Sequence, residues 1–294
     1  MDLATRRQTP TVRLRRLAAE LRALREAAGL DTKAVQELTE INPATLYRIE
    51  TAKARPQRRT IVALLGAYGV DAEKRDELLE LLKQSAEQGW LAAYETELPE
   101  PLLHYVSFES EARSIRNYET ILVPGLLQTQ EYALATVTQA GLPIPDAADV
   151  EQRVQMRMQR QELFKRADPL QLWAIVDEAV IHRVVGGQHV MIDQLERLLY
   201  AGKAAHITIQ VVPFSAGAHA GMPGSFAIIN FPDPQDADIV YSDSMAGDLF
   251  LETEAEVRRF SAVFEHLQAT ALSPTDSAQL IKKRLTTLKK GSTP

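Results

Sequence analysis

The stretch LRALREAAGLDTKAVQELTEINPATLYRIETAKARP (residues 21–56) decides the fold of the N-terminal part of the chain. It opens inside a helix whose apolar positions recur every three or four residues, as one buried helical face requires. These positions are Leu14, Leu17, Leu21 and Leu24. Gly29 follows as a residue suited to the left-handed conformation that ends many helices. The first helix is therefore predicted to end near Gly29.

Two short helices are predicted next along the chain. Asp31 is a suitable N-cap for the first of them, and Asn42 followed by Pro43 is a strong start signal for the second. The residues expected to be buried in these two helices are Val35, Leu38, Leu46 and Ile49. Short helices joined by a tight turn are typical of proteins that place one helix in the major groove of DNA.

The outer face of the third helix is the predicted DNA-reading surface. With Leu46 and Ile49 inward, a rotation of about 100° per residue turns the intervening residues outward. The candidate DNA-binding residues on the two helices are Thr32, Pro43, Ala44, Thr45, Tyr47 and Arg48. Arg48 is suited to a guanine edge or a phosphate, and Tyr47 to a phosphate or a thymine methyl group.

A basic segment follows the third helix and is suited to the DNA backbone. Its members are Lys53, Arg55, Arg58 and Arg59. A merely solvated loop is the alternative interpretation. Glu50, at the end of the third helix, is expected to pair with an arginine of the first helix such as Arg25, and not to face DNA.

Length and charge support two domains. The chain has 294 residues, which favours one small domain and one larger domain. Residues 1–60 contain 13 Lys and Arg against 7 Asp and Glu, although the whole chain has a net charge of −6. A basic N-terminal part joined to an acidic remainder is what a polyanion-binding module fused to a non-binding module would show.

The predicted boundaries follow from helix and linker signals. Helices at 60–68 and 71–88 complete an all-α domain at 1–89, of which 1–12 is expected to be a flexible arm. Residues 90–101 contain Pro99 and Pro101 and are assigned to a linker. Residues 102–294 are predicted to form a mixed α/β domain. The fold class is therefore multidomain, with an all-α helix-turn-helix head and a larger α/β domain.

Helices and strands alternate in the predicted α/β domain. Helices are predicted at 109–115, 128–140, 148–164, 178–185, 189–200, 254–269 and 274–289. Extended segments are predicted at 117–123, 170–176, 206–212, 226–231, 239–241 and 249–251.

Two segments of this domain, and Asp243 beyond them, are candidates for binding a ligand or a partner. The candidate residues are Val123, Pro124, Gly125, Leu126, Phe214, Gly217, His219, Gly221, Gly224 and Asp243. Glycines let a backbone approach a ligand closely, but a tight connection between strands explains them equally well. Leu126 and Leu127 are also compatible with a place in the core.

The sequence contains no recognisable catalytic or metal-binding motif. The six histidines form no His–His pair at metal-ligand spacing on one helix, and HExxH, nucleophile-elbow and phosphate-loop motifs are missing. Glu109, Glu111 and Asp243 could in principle pair for acid–base work, but surface carboxylates are the usual explanation for such residues. With no cysteine, disulfides and thiolate chemistry are excluded. We expect no enzymatic activity, no metal and no cofactor.

The segments LRALREAAGL, INPATLYRIETAKARP and ALLGAYGVD resemble the Xre-type, phage-repressor-like helix-turn-helix. The resemblance covers residues 14–70. Two positions depart from the family pattern, which has Ala at Gln36 and Gly at Glu40. The resemblance implies a DNA-binding head, and the departures imply an altered helix packing or weaker DNA binding.

Four later blocks resemble the antitoxin-like effector domain that follows an Xre head in regulators from filamentous, spore-forming bacteria. They lie at 111–133, 184–199, 207–233 and 240–252. Asp243 stands where that family more often has Glu. The resemblance implies a transcription regulator with double-stranded DNA as partner, and with a small protein encoded by a neighbouring gene, or a small-molecule effector, as second partner.

These inferences combine into a functional expectation. A repressor-like head binds two half-sites, so a homodimer is expected. No run of about 20 apolar residues is found, so no membrane association is expected, and the protein is expected in the cytoplasm on the nucleoid. The alternative is an antitoxin-like adaptor that acts by protein binding with little DNA binding. A hydrolase with a regulatory head is the third hypothesis.

Overall fold

The computed structural model describes residues 11–85, 100–140, 147–244 and 247–291. The chain divides into two compact units, Met1–Glu111 with Asp233–Asp236, and Ala112–Pro232 with Ala237–Pro294. Residues 1–10 of the predicted arm and 90–99 of the predicted linker lie outside the described residues, whereas Thr11 and Val12, also assigned to the arm, are buried at the start of the first helix. The fold class is confirmed: an all-helical head is followed by a unit with a mixed sheet and helices.

The first unit consists of helices in its described part. They are α1 (Val12–Ala27), α2 (Thr32–Thr39), α3 (Pro43–Glu50), α4 (Arg58–Ala67), α5 (Ala72–Gln84) and α6 (Glu100–Glu111). Side-chain oxygens cap the predicted helix starts at Asp31 and Asn42, by accepting hydrogen bonds from the N–H groups of Ala34 and Ala44.

The core of the head contains most of the predicted apolar residues. Leu14, Leu17, Leu21, Val35, Leu46 and Ile49 are buried, together with Ile61, Leu64, Leu65 and Leu78 of the later helices. Burial of these side chains supplies most of the stability of the head, because removing apolar surface from water is the dominant favourable term in folding.

The prediction for Leu38 is wrong, since 62% of this residue is exposed. It lies three residues after Val35, about 60° around a helix that buries only a narrow strip. Ile41, just beyond the turn, packs against the core instead. From the family pattern we expected Gln36 to alter the packing of the helices. The residue is exposed, so its side chain does not interfere with that packing.

The helix predicted at 109–115 is wrong in its position. Helix α6 begins at Glu100 and ends at Glu111, and Ser114 already belongs to a strand. Pro101 was interpreted as a linker residue, but proline is well tolerated in the first turn of a helix because no intrahelical donor is needed there. The last two residues of the predicted linker therefore lie in a helix.

The second unit is built on a six-stranded mixed sheet in its described part. The strands are β1 (Ser114–Glu119), β2 (Gln171–Asp177), β3 (Ile207–Val212), β4 (Phe226–Asn230), β5 (Ile239–Ser242) and β6 (Leu249–Leu251). Their spatial order is β3-β2-β1-β4-β5-β6. Strands β1, β2 and β3 are parallel, and the pairs β1–β4, β4–β5 and β5–β6 are antiparallel.

Helices connect the parallel strands and cover the sheet. They are α7 (Gln130–Ala140), α8 (Ala147–Arg160), α9 (Glu178–His182), α10 (Gln188–Ala201), α11 (Glu254–Thr270) and α12 (Pro274–Gly291). Parallel strands require such crossovers because a short hairpin cannot join them. Phe264 and Leu267 of α11 pack against a buried cluster that includes Tyr118, Ile175 and Phe226 on the sheet. In the described residues, no helix is long and apolar enough to cross a membrane.

Glu40 ends α2 in the left-handed conformation, with φ of 60°. This conformation costs a residue with a Cβ about 1–2 kcal/mol and costs glycine almost nothing. We therefore predict that Glu40→Gly raises the opening free energy of the α2–α3 amides by about 1 kcal/mol, measured by native-state hydrogen exchange.

Glu37→Gly is the matched control, because it removes the same charge from an exposed site within the same helix. Glycine at an ordinary helical position is destabilising by about 1 kcal/mol, so the two variants should shift exchange in opposite directions. Equal shifts of the same sign would show that charge, not backbone strain, controls this turn.

Candidate functional sites

The outer face of α3 presents an exposed, mixed polar and aromatic surface. Tyr47 is 56% exposed, and Ala44, Thr45 and Arg48 are also exposed. Leu46 and Ile49 are buried on the opposite face. The structure thus brings the predicted α3 residues together on one accessible helical face, as a groove-reading helix requires.

A bidentate ion pair attaches the end of α3 to α1. Arg25 Nε and Nη2 donate to the Glu50 carboxylate at 2.7 and 3.0 Å, and Arg25 Nη1 donates to the carbonyl of Leu30 at 2.9 Å. The hydrogen bond to Glu50 raises the pKa of Arg25 above its ordinary value. The prediction that Glu50 pairs with Arg25 is confirmed, and Glu50 faces the protein interior.

The loop after α3 places one lysine beside the α3 surface. Lys53 Nζ lies 5.2 Å from the ring centroid of Tyr47, in a cation–π contact. The N–H groups of Lys53 and Ala54 both donate to the carbonyl of Arg48. Lys53 therefore extends the positive charge of the α3 face beyond Arg48.

The other members of the basic segment differ in what they contact. Arg55 Nη2 donates to the carbonyl of Leu82 at 2.7 Å, and its Nε donates to Ser85 Oγ at 3.2 Å. Arg55 therefore ties the loop to α5, and we remove it from the candidate DNA surface. Arg58 and Arg59 are exposed in the first turn of α4, and Thr32 is exposed at the start of α2.

Helix α4 starts without a side-chain cap, because Gln57 makes no capping hydrogen bond. The first N–H groups of an uncapped helix carry partial positive charge and favour a phosphate. Arg58 and Arg59 lie at the same helix start. This combination of backbone donors and two guanidinium groups fits a DNA phosphate.

In the second unit, the carboxyl ends of the parallel strands form the second candidate site. β1 ends at Glu119, β2 at Asp177 and β3 at Val212. Because β5 is antiparallel to β4 and β4 to β1, β5 runs in the direction of β1, and Asp243 follows it at the same edge. Open α/β sheets commonly bind ligands outside this edge. We call this region the carboxyl edge.

Glu119 is a part-buried acid at the carboxyl edge. Asn117 Nδ2 donates to Glu119 Oε1 at 3.3 Å. Burial raises the pKa of Glu119 to about 7, although hydrogen bonds from Ser225 and Asn117 act in the opposite direction. Asp243 raises it further, and its own pKa is raised by burial. Sequence reasoning missed Glu119, whose signal was a carboxylate at the end of a buried strand.

The loop after β1 does not offer an exposed binding surface at the predicted residues. Val123, Pro124, Leu126 and Leu127 are all buried, so the core alternative holds for this segment. The Val123 N–H donates to Tyr132 Oη, and Gln128 Nε2 donates to the Val123 carbonyl. Gly125 is close to the Arg160 guanidinium, which a Cβ would meet at 3.4 Å.

The glycine-rich segment after β3 is a tight connection. Gly217 and Gly224 have positive φ, and Gly221 packs directly on Tyr118. His219 Nδ1 accepts a hydrogen bond from the Gly221 N–H, and its Nε2 lies 3.4 Å from Asp177 Oδ2. Both ring nitrogens of His219 are thus engaged within the protein. We therefore remove Gly221 and His219 from the candidate ligand contacts.

Exposed apolar side chains follow the carboxyl ends of the strands. Ile121 follows β1, Val184 follows α9, and Phe214 and Met222 follow β3. Phe214 is 58% exposed and packs against His182, with ring centroids 5.6 Å apart. Of these four, only Phe214 was predicted, because single exposed apolar residues in loops have no periodicity in the sequence.

Two family models match the chain. The model described as a helix-turn-helix domain matches residues 16–78, and the model described as a domain of unknown function (DUF5753) matches residues 102–283. No curated protein and no solved structure gives a significant match. The α3 surface thus lies within the first matched segment, and the carboxyl edge within the second.

The packing of Gly221 on Tyr118 generates a stability prediction. A Cβ at Gly221 would lie 2.6 Å from Tyr118 Cζ and 2.9 Å from Leu267 Cδ2, and both of these side chains are fully buried. We predict that Gly221→Ala destabilises the second unit by about 1–3 kcal/mol through overpacking. Urea unfolding followed by Trp173 fluorescence, in a Trp90→Phe background, measures this.

Gly202→Ala is the control, because its Cβ would meet the nearest atom at 3.5 Å and its φ of −66° suits any residue. This variant should unfold at the urea concentration of the parent chain. Equal free energies of unfolding for the two variants would show that the glycine-rich segment can rearrange around a Cβ at Gly221 without loss of stability.

Proposed function

Because the chain belongs to the DUF5753 family and also carries a helix-turn-helix domain, we propose that it is a sequence-specific DNA-binding transcription regulator whose second unit binds a small partner protein or ligand. The observation that carries the proposal is the exposed face of α3, with Tyr47 and Arg48 outward and Glu50 anchored inward. The basic excess of residues 1–60 supports it, because phosphate contacts require local positive charge.

The position and contacts of each exposed residue decide whether we assign it to a base edge or to a phosphate. Arg48, Tyr47 and Thr45 are assigned to base edges, with Pro43 and Ala44 as close neighbours in the groove. Lys53, Arg58, Arg59 and the start of α4 are assigned to phosphates, and Thr32 to the backbone at the start of α2. Phosphate contacts position the head, and base contacts specify the sequence.

We assign the head to the Xre type on the segments quoted above, and we propose that the protein acts as a homodimer on the nucleoid. Repressor-like heads bind two half-sites separated by about one helical turn or a multiple of it. Sedimentation of the full chain at micromolar concentration would report a dimer, whereas a monomer would leave the two-half-site model without support. We further propose that the protein has no enzymatic activity of its own.

For the second unit we propose the carboxyl edge as the partner-binding surface. Exposed apolar residues at Ile121, Phe214 and Met222 lie on the same edge as the acidic groups Glu119 and Asp243. Apolar anchors beside the exposed Asp243 carboxylate fit a small basic protein, since complementary charge speeds encounter and excludes acidic competitors. This supports an antitoxin-like effector role, with a small-molecule ligand as the rival occupant.

An adaptor that acts mainly by protein binding is the second candidate function. The observation that favours it is the left-handed Glu40 at the turn between α2 and α3, a strained residue that weakens the helix-turn-helix. Under this alternative the partner binds tightly while DNA binding is weak and does not depend on Arg48.

We predict that Arg48→Ala weakens binding to a duplex selected from a random library by about 10–100-fold, or about 1–3 kcal/mol if Arg48 reads a guanine. Fluorescence anisotropy of the labelled duplex measures the affinity. Arg22→Ala is the matched control, because Arg22 is also exposed but lies on α1 and pairs with Glu26. An unchanged footprint and affinity for Arg48→Ala would reject α3 as the recognition helix.

Arg58→Ala should act differently from Arg48→Ala in the same assay. Loss of one phosphate contact lowers affinity for all sequences alike and reduces the slope of log K against log salt by about 1. Arg55→Ala, whose guanidinium contacts α5, should leave this slope unchanged. A salt slope that is the same in Arg58→Ala and in the parent chain would place the phosphate contacts elsewhere.

We predict that calorimetric titration of the full chain with a small basic protein encoded beside it gives a saturable heat. Phe214→Asp should remove most of this heat, because the complex would then bury a charged side chain in place of an apolar anchor. Tyr200→Asp is the control, since Tyr200 is 68% exposed but lies near the far end of α10. No heat with the parent chain in low salt would reject the protein partner and leave the small-molecule ligand.

A further inference from the structure

Three metal-ligating side chains meet on the surface of the second unit, outside the sites described so far. Glu131 lies in the first turn of α7, and His189 and Asp193 lie one turn apart on α10. Their ligand atoms all lie within 4.8 Å of one another. One histidine and two carboxylates from two helices leave no local spacing pattern in the sequence, so this cluster was not predicted.

The donor atoms converge at ion-pair distances that are longer than a normal hydrogen bond. His189 Nδ1 is 3.5 Å from Asp193 Oδ2 and 3.8 Å from Glu131 Oε2. Both distances exceed those of charge-assisted hydrogen bonds, which are about 2.7–2.9 Å. A tetrahedral ion with bonds of about 2.0–2.2 Å separates its ligands by about 3.4 Å, which is close to the spacing of the His189 pairs.

The two helices that carry the donors are held together below the cluster. Gln194 is fully buried on α10; its Oε1 accepts from the Thr129 N–H at 2.8 Å, and its Nε2 donates to the Leu127 carbonyl at 2.9 Å. Gly186 lies so close to α7 that a Cβ there would be 2.8 Å from Ala135 Cβ. The backbone positions of the three ligands are therefore fixed by interactions that do not involve the ligands.

We propose that Glu131, His189 and Asp193 form a binding site for a divalent transition-metal ion of the zinc class. An imidazole with two carboxylates is a donor set that suits zinc, and three protein ligands leave one tetrahedral position for water or an exogenous group. The ion also neutralises two neighbouring carboxylates that otherwise repel each other. Magnesium is excluded as the preferred ion, because it selects oxygen ligands in an octahedron.

The site has a structural consequence for the carboxyl edge. Helix α7 follows the loop that carries Ile121, and α10 follows the segment that carries Val184. An ion that bridges α7 and α10 restrains both segments. The metal proposal does not depend on DNA binding, so the two proposals fail separately.

The test is a zinc titration of the metal-free full chain by competition with a chromophoric chelator. The parent chain should bind one zinc ion per chain, with excess magnesium leaving the affinity unchanged, and its thermal unfolding temperature should rise with zinc. Glu131→Gln, His189→Asn and Asp193→Asn should each lower the affinity at least about tenfold, because the loss of an outer-shell partner alone costs about 10–100-fold.

His182→Asn is the matched control. His182 forms an exposed pair with Glu178 one turn away on α9, with Nε2 3.2 Å from the carboxylate, and belongs to no three-ligand group within the described residues. This variant should bind zinc as the parent chain does. All four positions are exposed or half-exposed, and circular dichroism checks that the variants fold.

Two outcomes would overturn the proposal. One is a parent chain that binds no zinc in competition with the chelator. The other is a Glu131→Gln chain that binds zinc like the parent, which would reduce the cluster to adventitious binding by one exposed imidazole. Arg48→Ala should bind zinc normally, so a defect in DNA binding with normal zinc binding separates the two proposals.

Discussion

The bidentate pair between Arg25 and Glu50 is the interaction on which the DNA-facing surface depends. It joins α1 to the end of α3 and also holds the Leu30 carbonyl, so one guanidinium fixes three parts of the chain. Helix α3 has only eight residues and buries two of them. A helix this short has little stability alone, and its orientation must come from tertiary contacts. The polar anchor sets the rotation of α3, which decides whether Tyr47 and Arg48 face outward.

Strand β1 has the corresponding role in the second unit. It pairs in parallel with β2 on one side and antiparallel with β4 on the other. Its final residue, Glu119, therefore interacts with Ser225 and Asp243 from the antiparallel half of the sheet and with Arg157 from the crossover between β1 and β2. The carboxyl edge lies where the parallel and antiparallel parts of the sheet meet. There the loops after the parallel strands lie beside the ends of β4 and β5. The metal-ligating cluster and the exposed apolar side chains belong to segments that start from the same edge.

Sequence patterns predicted helices, helix caps and strands well, and contacts between individual distant residues poorly. The periodic leucines, the caps at Asp31 and Asn42, and the strands of the sheet were all recoverable, because periodicity and capping are local properties. Leu38 was misassigned because periodicity does not report how wide the buried strip of a helix is. Glu119, Gln194 and the Glu131–His189–Asp193 cluster depend on contacts between distant segments, and no local pattern encodes these. Arg55 was assigned by charge alone, whereas its partner carbonyl lies 27 residues away.

The pairing of β1 with β4 sets the order in which the two units can be completed during synthesis. Ser114 and Asn230 are partners 116 residues apart, so β1 and β4 cannot pair until residue 230 has been synthesised. The helices that form the core of the head, by contrast, contact neighbours within residues 11–85. Local contacts form quickly, whereas long loops must be closed before distant strands stabilise one another. On a ribosome, the helical core of the head can therefore form while the second unit is still an open chain. A truncated product would retain the DNA-facing surface and lack every group of the carboxyl edge contributed by β4 and β5.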